Sequence, residues 1–237
     1  MKKLKLNEVI PEKLGKSEKG QDAYIKHIFD TIGTTNKYYI ELGSKDGVDM
    51  SNTFYLRENE NWTGFLIDYG YGNNPSINLI SSFITKENIC DLFYKYGVPD
   101  EPDFLCIDLD GNDYWILNEI LTKYKPRVIM VETNVRFKPF DSYALKYNPN
   151  WQWDGHKWYG AAPFAFKKMA DTYGYTPVYI HIDDMFLVHN ECLSNEDRNK
   201  NWLEVFNTPN IEIYNTHTGG GRFHPILSMD INSWVEI

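Results

Sequence analysis

The ten residues YYIELGSKDG, positions 38–47, set the frame for the whole chain. An apolar, β-prone run closes on Glu41 and Leu42 and passes into a tight turn. The glycines Gly43 and Gly47 allow that turn positive φ and close backbone approach to a ligand. Three more apolar runs end on a carboxylate: GFLID at Asp68, DFLCID at Asp108 and VIMVE at Glu132. Helical stretches alternate with these runs, a pattern that predicts parallel strands. In an open parallel sheet the ligand crevice lies outside the carboxyl ends of the strands, so the four acids are expected to meet at one site.

The chain has 237 residues with 42% hydrophobic content, enough for one large α/β domain. Its formal charge of −9 excludes an overall electrostatic footprint for nucleic acid. The opening MKKLKL has no apolar segment behind it, and no stretch reaches the ~20 apolar residues that span a bilayer, so a cytoplasmic protein without membrane insertion is expected. Cys90, Cys106 and Cys192 are too scattered for a disulfide framework or a zinc cluster.

Residues 1–19 read as a loosely held polar arm, followed by a helix from Lys19 to Thr31. The strand at Tyr38–Leu42 leads to a helix over Ser51–Glu60 capped by Ser51. Then come strands at Gly64–Asp68 and near Ile77–Ser81, and a helix over Lys86–Tyr96 capped by Thr85. A strand over Phe104–Asp108, a turn at 110–113 opening a helix to Leu121, and a strand ending at Glu132 follow. Residues 133–158 lose regular periodicity and gather aromatics, as a functional insert would. A helix over Pro163–Tyr173 precedes two β-rich runs, Thr176–Ile182 and Met185–His189, expected as an antiparallel edge pair turning at Asp183-Asp184. The tail shows one helix, Asn195–Phe206.

Five βα-like units followed by a hairpin give the order of a Rossmann-like class I methyltransferase fold. That fold is a mostly parallel seven-stranded sheet with an antiparallel terminal strand and helices on both faces. A dehydrogenase domain is the nearest competitor, but the G-x-G-x-x-G fingerprint lacks its second and third glycines. The domain is taken as residues 1–190, with 191–237 as an extension packed on it or on a partner subunit.

The spacing Glu41-x-Gly43-x-x-x-Gly47 resembles the methyltransferase glycine loop, with Asp68 where such proteins hold the ribose hydroxyls of S-adenosylmethionine. The chain further resembles the FkbM-like family of S-adenosylmethionine-dependent methyltransferases. The likeness rests on Gly20-Gln21-Asp22, YYIELGSKDG with SNTFYL, NWTGFLID, DFLCIDLDGNDYWIL, VIMVETN and YGAAPFAFKKMADTYGY, across about residues 20 to 190. Two positions depart from the family pattern: Asp68 replaces a more usual glutamate, and IHIDDMFLV lacks an asparagine common before the aromatic. The resemblance implies a cofactor site made by Gln21, Glu41, Gly43, Ser44, Asp46, Asp68, Ser82, Phe83 and Asp108, with S-adenosylmethionine as cofactor.

Methyl transfer to a hydroxyl needs alignment of acceptor, methyl and sulfur, and removal of a proton from a poor acid. Asp108, Asp110, Glu132 and Asn134 offer the oxygen-only ligands that Mg2+ prefers, and some sugar O-methyltransferases place metal ligands at these strand ends. The competing reading has Asp108 near the cofactor amino group, Asp110 and Asn112 as turn and capping residues, and Glu132 fixing a loop. For a metal-free route the candidate bases are His156, His181, His217 and His224. Asp108, His156 and His181 are the catalytic candidates. Lys45 could neutralise an acceptor phosphate or carboxylate, or simply be an exposed loop lysine.

The insert's WQWDGHKWYG pairs aromatic faces with polar groups, which suits a sugar or nucleotide-linked acceptor; core packing or a dimer contact explains it equally. The leading expectation is O-methylation of a small hydroxylated acceptor such as a sugar, sugar-phosphate or nucleotide-linked intermediate of surface glycan synthesis. The alternatives are a nitrogen or phosphate-type oxygen acceptor, or a non-catalytic glycan-binding or scaffold protein of the same fold. DLDG in place of an NPPY-like tetrapeptide argues against nucleic acid, and the aromatic tail admits a homo-oligomer.

Overall fold

The computed structural model describes residues 2–10, 12–153, 159–207 and 233–237. The apolar runs form β1 (Tyr38–Leu42), β2 (Thr63–Asp68), β3 (Leu79–Ser81), β4 (Phe104–Ile107) and β5 (Val128–Glu132), with β6 (Tyr143–Leu145) inside the insert. Later in the chain come β7 (Tyr175–His181), β8 (Asp184–His189) and β9 (Trp234–Glu236). Seven strands make one sheet in the order β3-β2-β1-β4-β5-β8-β7. All pairs from β3 to β5 are parallel, and β8 runs antiparallel to both β5 and β7. This is the expected class I methyltransferase arrangement.

Side chains along each central strand alternate between two cores, as the strand period of two requires. Ile40, Leu42, Leu105, Ile107, Ile129 and Val131 face one way; Tyr39, Phe104, Cys106, Val128 and Met130 face the other. Both faces are covered, which is why the runs are apolar throughout rather than alternating with polar residues. The first face carries α3 (Ile89–Lys95), α4 (Asp113–Leu121), α5 (Pro163–Tyr173) and α7 (Trp202–Phe206). The second carries α1 (Gln21–Ile32) and α2 (Phe54–Asn59). α1 buries Tyr24, Ile25, Ile28 and Phe29, the spacing of one helical stripe.

Several boundaries move for identifiable reasons. Ser51 is no helix cap: its hydroxyl and that of Thr53 donate to the Glu41 carboxylate, and α2 begins only at Phe54. Regular helix after Thr85 begins at Ile89, because the Thr85 N–H turns to the Asn88 side chain. The tail helix divides into α6 (Asn195–Arg198) and α7, where Asn201 accepts from the Leu203 N–H and starts a new turn. The last two sheet strands are not both at the edge, since β8 lies between β5 and β7. Ile182 and Asp183 make the turn, with Ile182 at φ 60°, and Asp184 already belongs to β8. The insert is not wholly irregular: β6 pairs antiparallel with β9, Ala144 opposite Val235.

The opposite end of the sheet is locked by Asp103. This buried carboxylate accepts from the N–H groups of Thr35, Asn36 and Lys37 and from the Arg127 guanidinium at 2.7 Å. No helix among the described residues is long and apolar enough to cross a membrane.

Candidate active site

In the ladders Glu41 stands opposite Leu66 on one side and Cys106 on the other, and Cys106 stands opposite Met130. Two residues further along, at the carboxyl ends, the same row reads Asp68, Gly43, Asp108 and Glu132, and Glu132 is paired with Asp184 of β8. One row of the sheet therefore ends in four carboxylates with a glycine among them. Above it opens a cavity of about 590 Å³, lined by Asp68, Gly43, Asp108, Glu132 and Asp184 together with residues of the loops around them.

The same register explains why Glu41 is not in the cavity. It lies two residues too deep, and its buried carboxylate accepts from Ser51 Oγ at 2.7 Å, Thr53 Oγ1 at 2.5 Å and the Asn52 N–H at 2.7 Å. Burial raises its pKa and these donors oppose the rise. Glu41 thus ties the segment after the glycine turn to β1 and lies outside the cavity lining. Asp46 and Ser44 are also outside the lining. Asp46 accepts from the Val48 and Asp49 N–H groups and shapes the turn, while the Ser44 hydroxyl is buried.

Gly43 has φ 84°, and a Cβ there would be driven into the carbonyl oxygen of Asp108. The turn thus presses against the end of β4. Asp68 Oδ2 accepts from the Lys45 N–H at 2.6 Å, which ties β2 to the same turn. Its pKa is raised by burial against the pull of the Lys45 and Tyr69 N–H groups. Ser82 and Phe83 line the cavity beyond Asp68, with Phe83 edge-on to Tyr69 at 5.2 Å.

Carboxylate oxygens of Asp108, Asp110 and Glu132 all lie within 4.8 Å of one another. Burial raises Asp108 and Glu132 well above the ordinary carboxylate range, followed by Asp184 for Asp108 and by Asp108 for Glu132. Asp110 is pushed up to about 6, by burial and then by Asp113, with Lys45 opposing. Glu132 Oε2 is buried without a hydrogen-bond partner. An orphaned anionic oxygen costs several kcal/mol, about 3–5 in measured cases, unless a proton or a cation meets it. A hard divalent cation fits this oxygen-only set. Asn134 does not belong to it: its Nδ2 donates to the Tyr159 carbonyl and its Oδ1 accepts from the Arg136 N–H, outside the lining.

The wall toward β8 comes from Lys19, read in the sequence where the arm meets the first helix, from Gln21, expected among the cofactor contacts, and from Asp183 and Asp184, read as a turn. Lys19 Nζ reaches Asp183 at 3.0 Å, and Gln21 Nε2 donates to Asp184 at 2.8 Å. Burial works to lower the Lys19 pKa, but Asp183, Asp184 and Glu18 raise it overall. Asp184 is pushed up to about 7 by burial and then by Asp183. His181 is paired with Asp184 across the hairpin yet does not line the cavity. Its ring packs on Tyr24 at 4.6 Å, its Nε2 meets the Lys19 carbonyl at 2.8 Å, and burial lowers its pKa. His181 is therefore buried behind the cavity wall rather than facing the row of acids. His156, His217 and His224 lie outside the described residues.

The insert supplies Trp151, Gln152 and Trp153 to the cavity, with Trp153 48% exposed at the mouth. Lys45 lines it too. Counting both signs, the lining holds Glu18, Asp68, Asp108, Asp110, Glu132, Asp183 and Asp184 against Lys19 and Lys45. Asp183 and Lys19, 164 residues apart, could not be paired from the sequence, since nothing in the local pattern links them.

No protein-family model and no curated protein matches the chain. Among solved structures it is similar to a selenomethionine-substituted CurJ carbon methyltransferase, with 10% identity and a TM-score of 0.41. That alignment covers 73% of this chain and 55% of the other, so the chain spans about half the length of that structure. It is also similar to a SAM dependent methyltransferase from Aquifex aeolicus, with 10% identity and a TM-score of 0.30, over 69% of this chain and 86% of the other.

Proposed function

We propose that the protein is an S-adenosylmethionine-dependent methyltransferase acting on a hydroxyl of a small acceptor of sugar or glycan-intermediate type. The observation that carries the reading is the row at the sheet's carboxyl edge: a left-handed Gly43 turn packed on the Asp108 carbonyl, with Asp68 held beside it by the Lys45 N–H. A carboxylate so placed accepts two hydrogen bonds from a vicinal diol, and the glycine turn lets a ligand lie against bare backbone. Phe83 and Ile84 give an apolar flank beyond Asp68 where a flat heterocycle fits.

S-adenosylmethionine would supply a methyl group activated by its sulfonium. The chain's part is chiefly alignment, which can lower the barrier by several kcal/mol, up to about 7–11 for ideal juxtaposition. Asp108, Asp110 and Glu132 would hold Mg2+, whose chemistry is to lower the pKa of a bound hydroxyl. Trp151 and Trp153 offer faces for a sugar ring, and Gln152 offers a polar partner for its hydroxyls. The acidic wall disfavours a bare phosphate on the acceptor, leaving an uncharged polyol as the best-matched substrate.

The test is calorimetric titration with S-adenosylhomocysteine, followed by transfer of labelled methyl from S-adenosylmethionine to a panel of free sugars, sugar phosphates and nucleotide sugars. Micromolar binding weakened about 10- to 100-fold in Asp68→Ala, with label on a neutral sugar, supports the reading. A folded protein that binds no S-adenosylhomocysteine would end it and leave a glycan-binding or scaffold role.

A further inference from the structure

We infer that Trp151 is a positioning residue for Asp110, fixing through the Asp110–Gly111 peptide the direction in which that carboxylate enters the cavity. The inference rests on the proposed role of Asp108, Asp110 and Glu132 as a divalent-cation site.

Asp110 has φ 53°, a left-handed conformation that costs a side-chain-bearing residue free energy and has to be held by its surroundings. From within the turn, Asp113 holds it by accepting from the N–H groups of Leu109 and Gly111, both at 2.8 Å. From outside, the indole N–H of Trp151 donates to the Asp110 carbonyl at 2.9 Å. The ring also occupies the space over Gly111 so closely that a Cβ there would collide with it. Glycine at 111 is thus explained by the indole rather than by its own backbone conformation.

The contact belongs to a longer seam. Asn112 Nδ2 donates to the Asn148 carbonyl at 2.8 Å, and Trp115 Nε1 donates to the Leu145 carbonyl at 2.7 Å. The insert is therefore stitched along the first turn of α4, and Trp151 is the stitch nearest the metal-ligand candidates. Partners one shell out from a metal commonly alter its affinity about 10- to 100-fold when removed. Because Trp151 also lines the cavity, an acceptor pressing on the insert wall bears on the same peptide.

The experiment titrates the full chain with Mn2+, followed by its electron spin resonance signal, and separately with S-adenosylhomocysteine. The variants are Asp110→Asn, Trp151→Phe, Trp151→Ala and Gly111→Ala. Trp151→Phe keeps an aromatic ring on the insert but removes the N–H donor together with the five-membered part of the indole over Gly111. We expect it to weaken Mn2+ binding about 10-fold with S-adenosylhomocysteine affinity unchanged. Gly111→Ala, which retains the indole but displaces it, should weaken Mn2+ binding in the same way. Mn2+ affinity in Trp151→Phe equal to that of the unaltered protein, with loss only in Trp151→Ala, would reduce Trp151 to packing and overturn the inference alone. Absence of Mn2+ binding by the unaltered protein, or its persistence in Asp110→Asn, would overturn the cation site and this inference with it.

Discussion

Gly43 and the carbonyl of Asp108 are in such close apposition that position 43 has no room for a side chain. The contact joins the glycine turn to the end of β4, so the two halves of the cavity are set against each other through backbone. Gly43→Ala has both to adopt φ 84° and to displace β4. Backbone strain alone is about 1–3 kcal/mol. A clearly lowered melting temperature, with S-adenosylhomocysteine binding lost from the fraction still folded, is the expected result.

Asp68 offers a charged acceptor next to the same turn. Hydrogen bonds to charged groups contribute about 1.5–3 kcal/mol, so Asp68→Ala should weaken S-adenosylhomocysteine about 10- to 100-fold. Asp68→Glu, the residue more usual at this place in the resembling family, should retain most of the binding. Calorimetry of the three proteins at one pH decides this.

The crowded acids should make the metal-free protein less stable as pH rises. Asp110 titrates near 6 in the folded chain, above its ordinary value, so the folded state holds a proton that the unfolded state has released. Stability is then lost between about pH 4 and pH 6, and the loss persists at higher pH. Asp110→Asn and Glu132→Gln should therefore melt higher than the unaltered protein at pH 7.5 without metal, by about 2–4 °C for each kcal/mol of repulsion relieved. Mg2+ should raise the melting temperature of the unaltered protein and leave those of the variants nearly still. Equal melting curves for all three with and without Mg2+ would contradict both statements.

At the other end of the sheet the sign reverses. Burial alone would raise Asp103, but Arg127 and the N–H groups of Thr35 and Lys37 hold it below its ordinary value. A depressed carboxyl adds stability at neutral pH that is lost as pH falls below about 4 through its folded pKa. Asp103→Ala removes the counter-charge of Arg127, which keeps only the Gly33 and Ile32 carbonyls, and leaves three N–H groups unmet, a change that costs about 3–5 kcal/mol in comparable buried pairs. Denaturant unfolding at pH 7 and pH 3 should show that the cost shrinks in acid.

The sheet was legible because parallel strands buried on both faces write themselves as apolar runs, and the acids marked where those runs stopped. Asp68, Asp108 and Glu132 were placed together correctly on that evidence. Glu41 was not, because the end of a run in sequence is not its level in the sheet, and only the register shows that Gly43 occupies the row. His181 sits on the right strand and in the right row, but α1 and the Lys19 carbonyl cover it. Gln21 was expected at the site and lines the cavity, but its bond to Asp184, like that of Lys19 to Asp183, spans more than 160 residues, which no local pattern encodes. Asn134 had the right chemistry, yet its amide is engaged by the Tyr159 carbonyl and the Arg136 N–H.

The pairing of β6 with β9 carries a consequence for the order in which the protein matures. Tyr143–Leu145 leaves the ribosome long before Trp234–Glu236, so during synthesis β6 can bond to Gly160 and Ala162 on one edge and the seven-stranded sheet can close while the other edge of β6 still waits for β9. β9 is then a late addition to a finished scaffold, since the bonds that hold Leu145, Asn148 and Trp151 against the start of α4 involve no residue of it. Pulse-labelled hydrogen exchange during refolding should find the amides of β1 and β4 protected first and those of β9 last.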